Sequence, residues 1–377
     1  MPSCGNMSQY CPIIQEMMNN TAGKSSERAL NMGVVVAHGL ISSFGILENL
    51  LILWVIGFRV RRSVISIWIL NLAASDLLAT ASLPFFTYFL AQGLTWKLGT
   101  TFCKVHSSIF FLNMFLSGFL LAVISLDRCL VSLLPVWCQN HRDVGLATRV
   151  CWVVWGLALL NTVPYYLFRD TITRCDNHTI MCYYNFRQLS PPEADYKALC
   201  RSRQDALAIS KFLLSFLLPL LVIIGSYAAV SASIARRGHR RTFRFFRLVV
   251  AVIVTFVLCW APYHTFSLLE AVGDYNPSLR RMVARALPAS ASLAFLNSVL
   301  NPLLYVFSCP DFLAKIRQSL GAVLENVLQE DLGELARRRS TAQSSVSASE
   351  LLLKGPHSRP TPSTKTKDKE VEHPSVF

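Results

Sequence analysis

Asp76 and Lys211 are ionisable residues inside largely apolar stretches, where a charge is costly and therefore a functional candidate. Asp76 closes the segment Asn71-Leu72-Ala73-Ala74-Ser75-Asp76. A carboxylate there is either protonated or holds a cation. Ser117, Asn297 and Asn301 could complete an oxygen cage for a sodium ion, and a neutral, hydrogen-bonded aspartate fits the same residues. Lys211 lies about two helical turns before Pro219 in another apolar run. A cation among apolar residues suits a ligand with a carboxylate and a long apolar body; a lysine snorkelling to the membrane surface is the plain alternative. The pairings of catalysis are missing: neither His-Glu-x-x-His nor Gly-x-Ser-x-Gly occurs, so no enzyme is expected.

The elements that must position these residues follow from composition. Of 377 residues, 53% are hydrophobic and only 15% charged, too little polar surface for a soluble domain of this length. Seven apolar runs stand at Gly33–Gly57, Ser63–Ala91, Thr100–Leu134, Ala147–Phe168, Gln204–Arg236, Thr242–Val272 and Leu279–Phe307. Each reaches the roughly 20 residues that cross a bilayer, and in lipid each must satisfy its own backbone as a helix. The predicted fold is an all-α, seven-transmembrane helix bundle, kinked at Pro84, Pro164, Pro219, Pro262 and Pro302. No internal repeat of the transporter kind is present.

The net charge of +14 is spread over short loops rather than gathered into a nucleic-acid-binding patch. Arg59, Arg61 and Arg62 follow the first run, and Arg236, Arg237, Arg240, Arg241, Arg244 and Arg247 follow the fifth, both without an acid; the long segment Arg169–Asp205 mixes six basic with five acidic residues. Positive loops stay inside, so the N-terminus is expected outside and the C-terminus in the cytoplasm of a multi-pass plasma-membrane protein. Glycosylation sequons at Asn6, Asn19 and Asn177 fall on the side assigned outside. Residues 1–32 read as a glycosylated tail without a signal-peptide core, so the first span is expected to direct insertion. Residues 33–308 are expected to form the seven-helix bundle. Phe312, Ile316 and Leu320, with Lys315 and Arg317 between them, predict an amphipathic helix along the inner membrane surface within 309–322. Residues 323–377 read as a disordered cytoplasmic tail; Arg337-Arg338-Arg339 there precedes Ser340, Thr341, Ser344, Ser345, Ser347 and Ser349, candidate phosphorylation sites. Cys4, Cys11, Cys103, Cys175, Cys182 and Cys200 face the oxidising side, where roughly 15 pairings are open and spacing does not choose. Cys129, Cys138, Cys151, Cys259 and Cys309 read as small packing residues.

The motifs, in order along the chain, resemble those of rhodopsin-type (class A) G-protein-coupled receptors over roughly residues 33–320. They are Asn49, Asp76, Asp127-Arg128-Cys129, Trp155, Pro219 with Tyr227, Phe256-Val257-Leu258-Cys259-Trp260-Ala261-Pro262, and Asn301-Pro302-Leu303-Leu304-Tyr305. The resemblance implies that Asp127 holds Arg128 at rest and that Arg128 turns to the G protein on activation. It places Trp260 at a pocket floor and Tyr227 and Tyr305 in an inner water network, and it implies a Cys103–Cys182 disulfide. Two departures stand out: Cys129 replaces a usual Tyr, and Gly118 replaces a bulky residue that packs between Pro219 and Phe256. An amine ligand is not expected, because Phe110 stands where amine receptors carry Asp, and retinal is not expected, because no Lys stands near Phe295. The candidate ligand-binding residues are Lys211, Arg169, His106, Phe110, Phe111, Tyr183, Tyr184, Tyr263 and Glu270.

Longer stretches, among them Leu98–Lys104, Asn161–Tyr165, Cys182–Asn185 and Trp260–His264, are similar to the chemoattractant receptors of that family, the group of formyl-peptide and anaphylatoxin receptors rather than the other prostanoid receptors. That likeness implies prostaglandin D2 or a related acidic lipid as ligand and a G protein of the inhibitory class as partner. It also implies a Cys11–Cys200 disulfide, which leaves Cys4 and Cys175 to pair with each other. Arrestin and receptor kinases are expected at the Ser/Thr tail, membrane lipids around the bundle, and no cofactor beyond an allosteric sodium ion. A chemoattractant peptide with a free carboxylate is the alternative ligand, and a polytopic transporter the distant third reading.

Overall fold

The computed structural model describes residues 10–19, 32–175, 179–190, 195–236, 242–272 and 277–308, together with Gln318 and Gly321. One compact unit covers Met1–Arg317 and a second Gln318–Phe377; the elements below belong to the first. Asn6, Cys4, Asn177, the helix expected within 309–322 and the tail 323–377 lie outside the described residues, save that Gln318 and Gly321 are helical. So do the side chains of Asn19 and Tyr305 and most of the arginine-rich turn after Arg236.

Seven helices are long and apolar enough to cross a membrane. The first span is α2 (Met32–Trp54) continued by a π turn at Val55–Arg59, the second α3 (Val64–Ala91), the third α4 (Thr100–Leu133) and the fourth α6 (Val144–Phe168). The fifth joins α7 (Tyr196–Phe212) to α8 (Leu218–Arg236) through a π turn at Leu213–Leu217; α9 (Thr242–Val272) and α10 (Pro277–Ser308) are the sixth and seventh. Local signals fix several starts. Ser63 and Ser66 form a reciprocal capping box before α3, and Asp143 accepts from the Leu146 N–H at the start of α6. The fifth span begins at Tyr196, eight residues before the expected Gln204. There Asp195 accepts from the N–H groups of Lys197 and Ala198, and the added turns carry Lys197, Arg201 and Arg203, charges that belong beyond the hydrocarbon.

The third span runs through the centre, where Phe111, Met114, Phe115, Leu116 and Leu120 are almost wholly buried. Trp152, Leu160, Leu221 and Leu258 are exposed on the outside of the bundle, the surface that lipid covers. Asn49 joins the first span to the seventh, donating to the Gly45 and Ser298 carbonyls at 2.8 and 3.1 Å. Trp155 Nε1 donates to Asn71 Oδ1 at 2.9 Å, joining the fourth span to the second.

Three smaller elements were not expected. A short helix α5 (Pro135–His141) follows the third span, with proline at its first position. An antiparallel hairpin of β1 (Arg169–Thr173) and β2 (Ile180–Tyr184) follows the fourth, with Arg169 opposite Tyr184 and Thr171 opposite Cys182. Residues 1–32 contain α1 (Pro12–Asn19) rather than tail alone. Eight residues do not hold a helix by themselves; here Ile14 and Met18 are buried in one cluster with Ile172, Met181 and Phe186. The Cys11–Cys200 disulfide and a 3.0 Å hydrogen bond from Arg174 Nε to the Met17 carbonyl fasten the helix there.

Candidate functional site

All nine residues of the expected ligand set line one cavity of about 330 Å³, a volume ordinary for small-molecule sites. The third span supplies His106, Phe110 and Phe111, the hairpin Arg169, Tyr183 and Tyr184, the fifth span Lys211, and the sixth Tyr263 and Glu270. A Cys103–Cys182 disulfide holds the hairpin to the third span beside the cavity.

Lys211 is 5% exposed. Its ammonium lies 5.5 Å from the centre of the Phe111 ring, 5.3 Å from that of Tyr263 and 5.9 Å from that of Tyr165, a cage of ring faces that favours a cation. The lysine therefore points inward; it does not snorkel. Among the described residues Glu270 makes no short ion pair with it; Tyr183 Oη donates to Glu270 Oε1 at 2.7 Å. Burial, and then the nearby Glu270 carboxylate, push the Tyr183 phenol well above its usual pKa, so it remains a donor. Arg169 lies over the Tyr184 ring at 4.2 Å and donates from Nε to Ser107 Oγ at 2.8 Å. His106 packs among Phe86, Trp96 and Phe102.

Beneath the cavity lies a polar core. Asp76 is completely buried and accepts from Asn113 Nδ2 at 3.0 Å and Asn301 Nδ2 at 2.9 Å. Asn297 is also completely buried, and neither of its side-chain polar atoms has a hydrogen-bond partner among the described residues; the same holds for Asn301 Oδ1. Buried oxygens left open beside a carboxylate are the donor set a small hard cation takes, so the residues fit sodium. Trp260 is buried beneath Phe110, 6.1 Å between ring centres, and Pro302 and Tyr227 are buried too.

At the inner end Asp127 has a partner that the sequence reading did not name. Both oxygens of Asp127 receive Arg142, from Nε at 2.7 Å and from Nη2 at 2.9 Å. Arg128 is half-buried beside it. Arg142 sits where α5 ends and the next residue caps α6, so the bend of the loop carries it back to the third span.

The sequence reading also missed Met17, Phe86, Trp96, Arg174, Pro288 and Phe295, which line the cavity, and Asn113 and Arg142. Asn113 had a signal, an amide inside a long apolar run; Arg142 had none, standing in a basic loop like many others.

The site and its scaffold define a multi-pass membrane receptor of seven helices. The chain belongs to the rhodopsin family of seven-transmembrane receptors, whose model matches residues 48–305, and is thus a G-protein-coupled receptor. It is 56% identical over 358 residues to a Mus musculus protein named prostaglandin D2 receptor 2, covering 93% of each chain. It is 58% identical over 322 residues to the Rattus norvegicus protein of that name, covering 85% of this chain and 79% of the other. A C3a anaphylatoxin chemotactic receptor of Oncorhynchus mykiss is 36% identical over 337 residues, 89% of this chain and 90% of the relative.

Proposed function

We propose that this chain is a plasma-membrane receptor for prostaglandin D2, or a closely related acidic lipid, that signals through the inhibitory class of G protein. One observation carries the ligand chemistry: a lysine 5% exposed, enclosed by aromatic rings and lining a cavity of about 330 Å³. A desolvated cation there attracts a carboxylate far more strongly than it would in water, and the rings enclose an apolar chain. The identity to receptors named for prostaglandin D2 supports the same ligand. The N-terminus, α1 and the hairpin face the extracellular side, as the disulfides require an oxidising compartment. Arg128 engages the G protein, Asp76 with Ser117, Asn297 and Asn301 holds an allosteric sodium ion, and the Ser/Thr tail recruits receptor kinases and arrestin.

Lys211→Ala should weaken prostaglandin D2 by at least about tenfold, or ~1.4 kcal/mol. The methyl ester should lose far less on the same substitution, since its charge is already gone. Acid and ester on wild type and variant make a double-mutant cycle that isolates the charge pair. Equal losses for the two ligands would move the carboxylate away from Lys211. Coupling is tested by lowering of cellular cyclic AMP, with formylated and anaphylatoxin peptides compared in the same cells.

A further inference from the structure

Lys211 is followed by the π turn Leu213–Leu217, within which the Leu218 N–H donates five residues back to the Leu213 carbonyl. Pro219 makes that turn useful. It has no N–H to offer the Ser215 carbonyl four residues earlier, and that carbonyl instead lies against Gly118 on the third span. A Cβ at 118 would stand 2.6 Å from Ser215 O and 3.2 Å from Pro219 Cγ, closer to the backbone oxygen than real contacts allow. The glycine is therefore what lets the fifth span lie directly on the third at this level.

The Ser215 side chain, in a residue 1% exposed, makes two contacts. Its Oγ lies 2.6 Å from the Lys211 carbonyl and 3.3 Å from His264 Nε2. A hydroxyl has one proton, and the shorter contact, to an atom that can only accept, takes it. The contact with His264 then has the ring Nε2–H as donor and the serine oxygen as acceptor. His264 is itself 1% exposed, and its Nδ1 has no hydrogen-bond partner among the described residues. Around this pair the rings are continuous: His264 lies 5.1 Å from Phe216 and 6.4 Å from Trp260, and Phe216 stacks on Phe256 at 5.6 Å. One hydrogen-bonded path thus runs from the backbone of the ligand lysine to the sixth span one turn above Trp260.

We propose that Ser215 and His264 are positioning residues of signalling, the contact through which a ligand seated on Lys211 acts on the sixth span. This rests on the ligand reading above for the role of Lys211. Neither side chain lines the cavity, so their loss separates response from affinity, which a residue that only shaped the pocket would not do.

The test uses the full-length receptor in nanodiscs with a heterotrimeric G protein of the inhibitory class. Radiolabelled prostaglandin D2 binding is read without G protein, and nucleotide exchange is read with and without ligand. Ser215→Ala and His264→Phe are each expected to leave Kd within about threefold of wild type, or ~0.7 kcal/mol, while ligand-stimulated exchange falls about fivefold or more. The double variant is expected to lose no more than the worse single one, as two members of one contact should. Ser215→Thr, which keeps the hydroxyl, is expected to restore exchange. Unchanged exchange in Ser215→Ala, exchange that falls only as binding falls, or additive losses in the double variant would each overturn the proposal. If wild type binds no prostaglandin D2, the ligand reading fails by itself. The path is then judged on ligand-free exchange, where non-additive changes support it and additive or absent changes overturn it.

Discussion

Asp76 and Lys211 are both buried in the bundle, yet their surroundings are opposite. The carboxylate receives two amide donors from two other spans; the ammonium is met by the faces of three rings. Asp76 is built into a network, and what it does depends on neighbours already present. Lys211 lines a cavity in which the acid, Glu270, accepts from Tyr183, and the ligand proposed above would bring a carboxylate to it. One buried charge is thus supplied with hydrogen-bond donors from neighbouring spans and the other with ring faces and an adjoining cavity.

The contrast breaks first at Asp76. Asp76→Ala leaves the Asn301 amide buried without its acceptor and the Asn113 amide with Ser75 Oγ alone, at about 1–3 kcal/mol for the unsatisfied donor. A marked fall in the thermal unfolding temperature is expected, together with loss of any sodium dependence of ligand binding, read by replacing sodium with choline. Unfolding at the wild-type temperature would show that the amides find other partners. Next in size is the seam between the two regions. Gly118→Ala pushes a methyl group into the Ser215 carbonyl and should cost about 1–3 kcal/mol as an overpacked contact, read as a lower unfolding temperature and weaker ligand binding together. Lys211→Met sharpens the contrast by changing the sign. Replacing a caged charge with an apolar side chain of similar length is neutral or stabilising, so the ligand-free receptor should unfold at the same or a higher temperature while binding of the acid is lost. A drop as large as that of Asp76→Ala would make the two charges alike. Last is Arg142→Ala, which takes both hydrogen bonds from the buried Asp127 carboxylate and should cost about 1.5 kcal/mol. Beyond a small fall in unfolding temperature, ligand-free nucleotide exchange is where its effect is expected, since Asp127 then loses its bidentate partner.

The spans were legible because lipid imposes a simple rule, a long apolar run, and all seven stand where the runs predict. The early start of the fifth was not, because Tyr196–Arg203 is helical by its Asp195 cap and not by apolarity. Nor were α1 and the hairpin. Their sequences are short and mixed, and what orders them is remote in sequence: Cys200 for α1, Cys103 for the hairpin. The residues that gather around the cavity were legible in chemistry and by resemblance, since cations and aromatics near the outer ends of spans are conspicuous. Ser215 was not, because a serine in an apolar helix usually bonds its own backbone; only the fold shows that this one also meets His264. Gly118 was noticed as a departure, but its reason, a carbonyl released by Pro219, required the π turn.

The Cys11–Cys200 bond also constrains how the molecule is made. Its two cysteines are 189 residues apart in sequence, against 79 for Cys103 and Cys182. A ribosome adding about 5–20 residues per second needs on the order of 10–40 s to cover the longer interval. Throughout that time the thiol of Cys11 waits in the compartment where disulfides form, while Cys103 and then Cys182 arrive ahead of its partner. The bond from α1 to the fifth span can therefore close only after both hairpin-anchoring cysteines have been made, and until then α1 has only its noncovalent contacts with the hairpin to rest on.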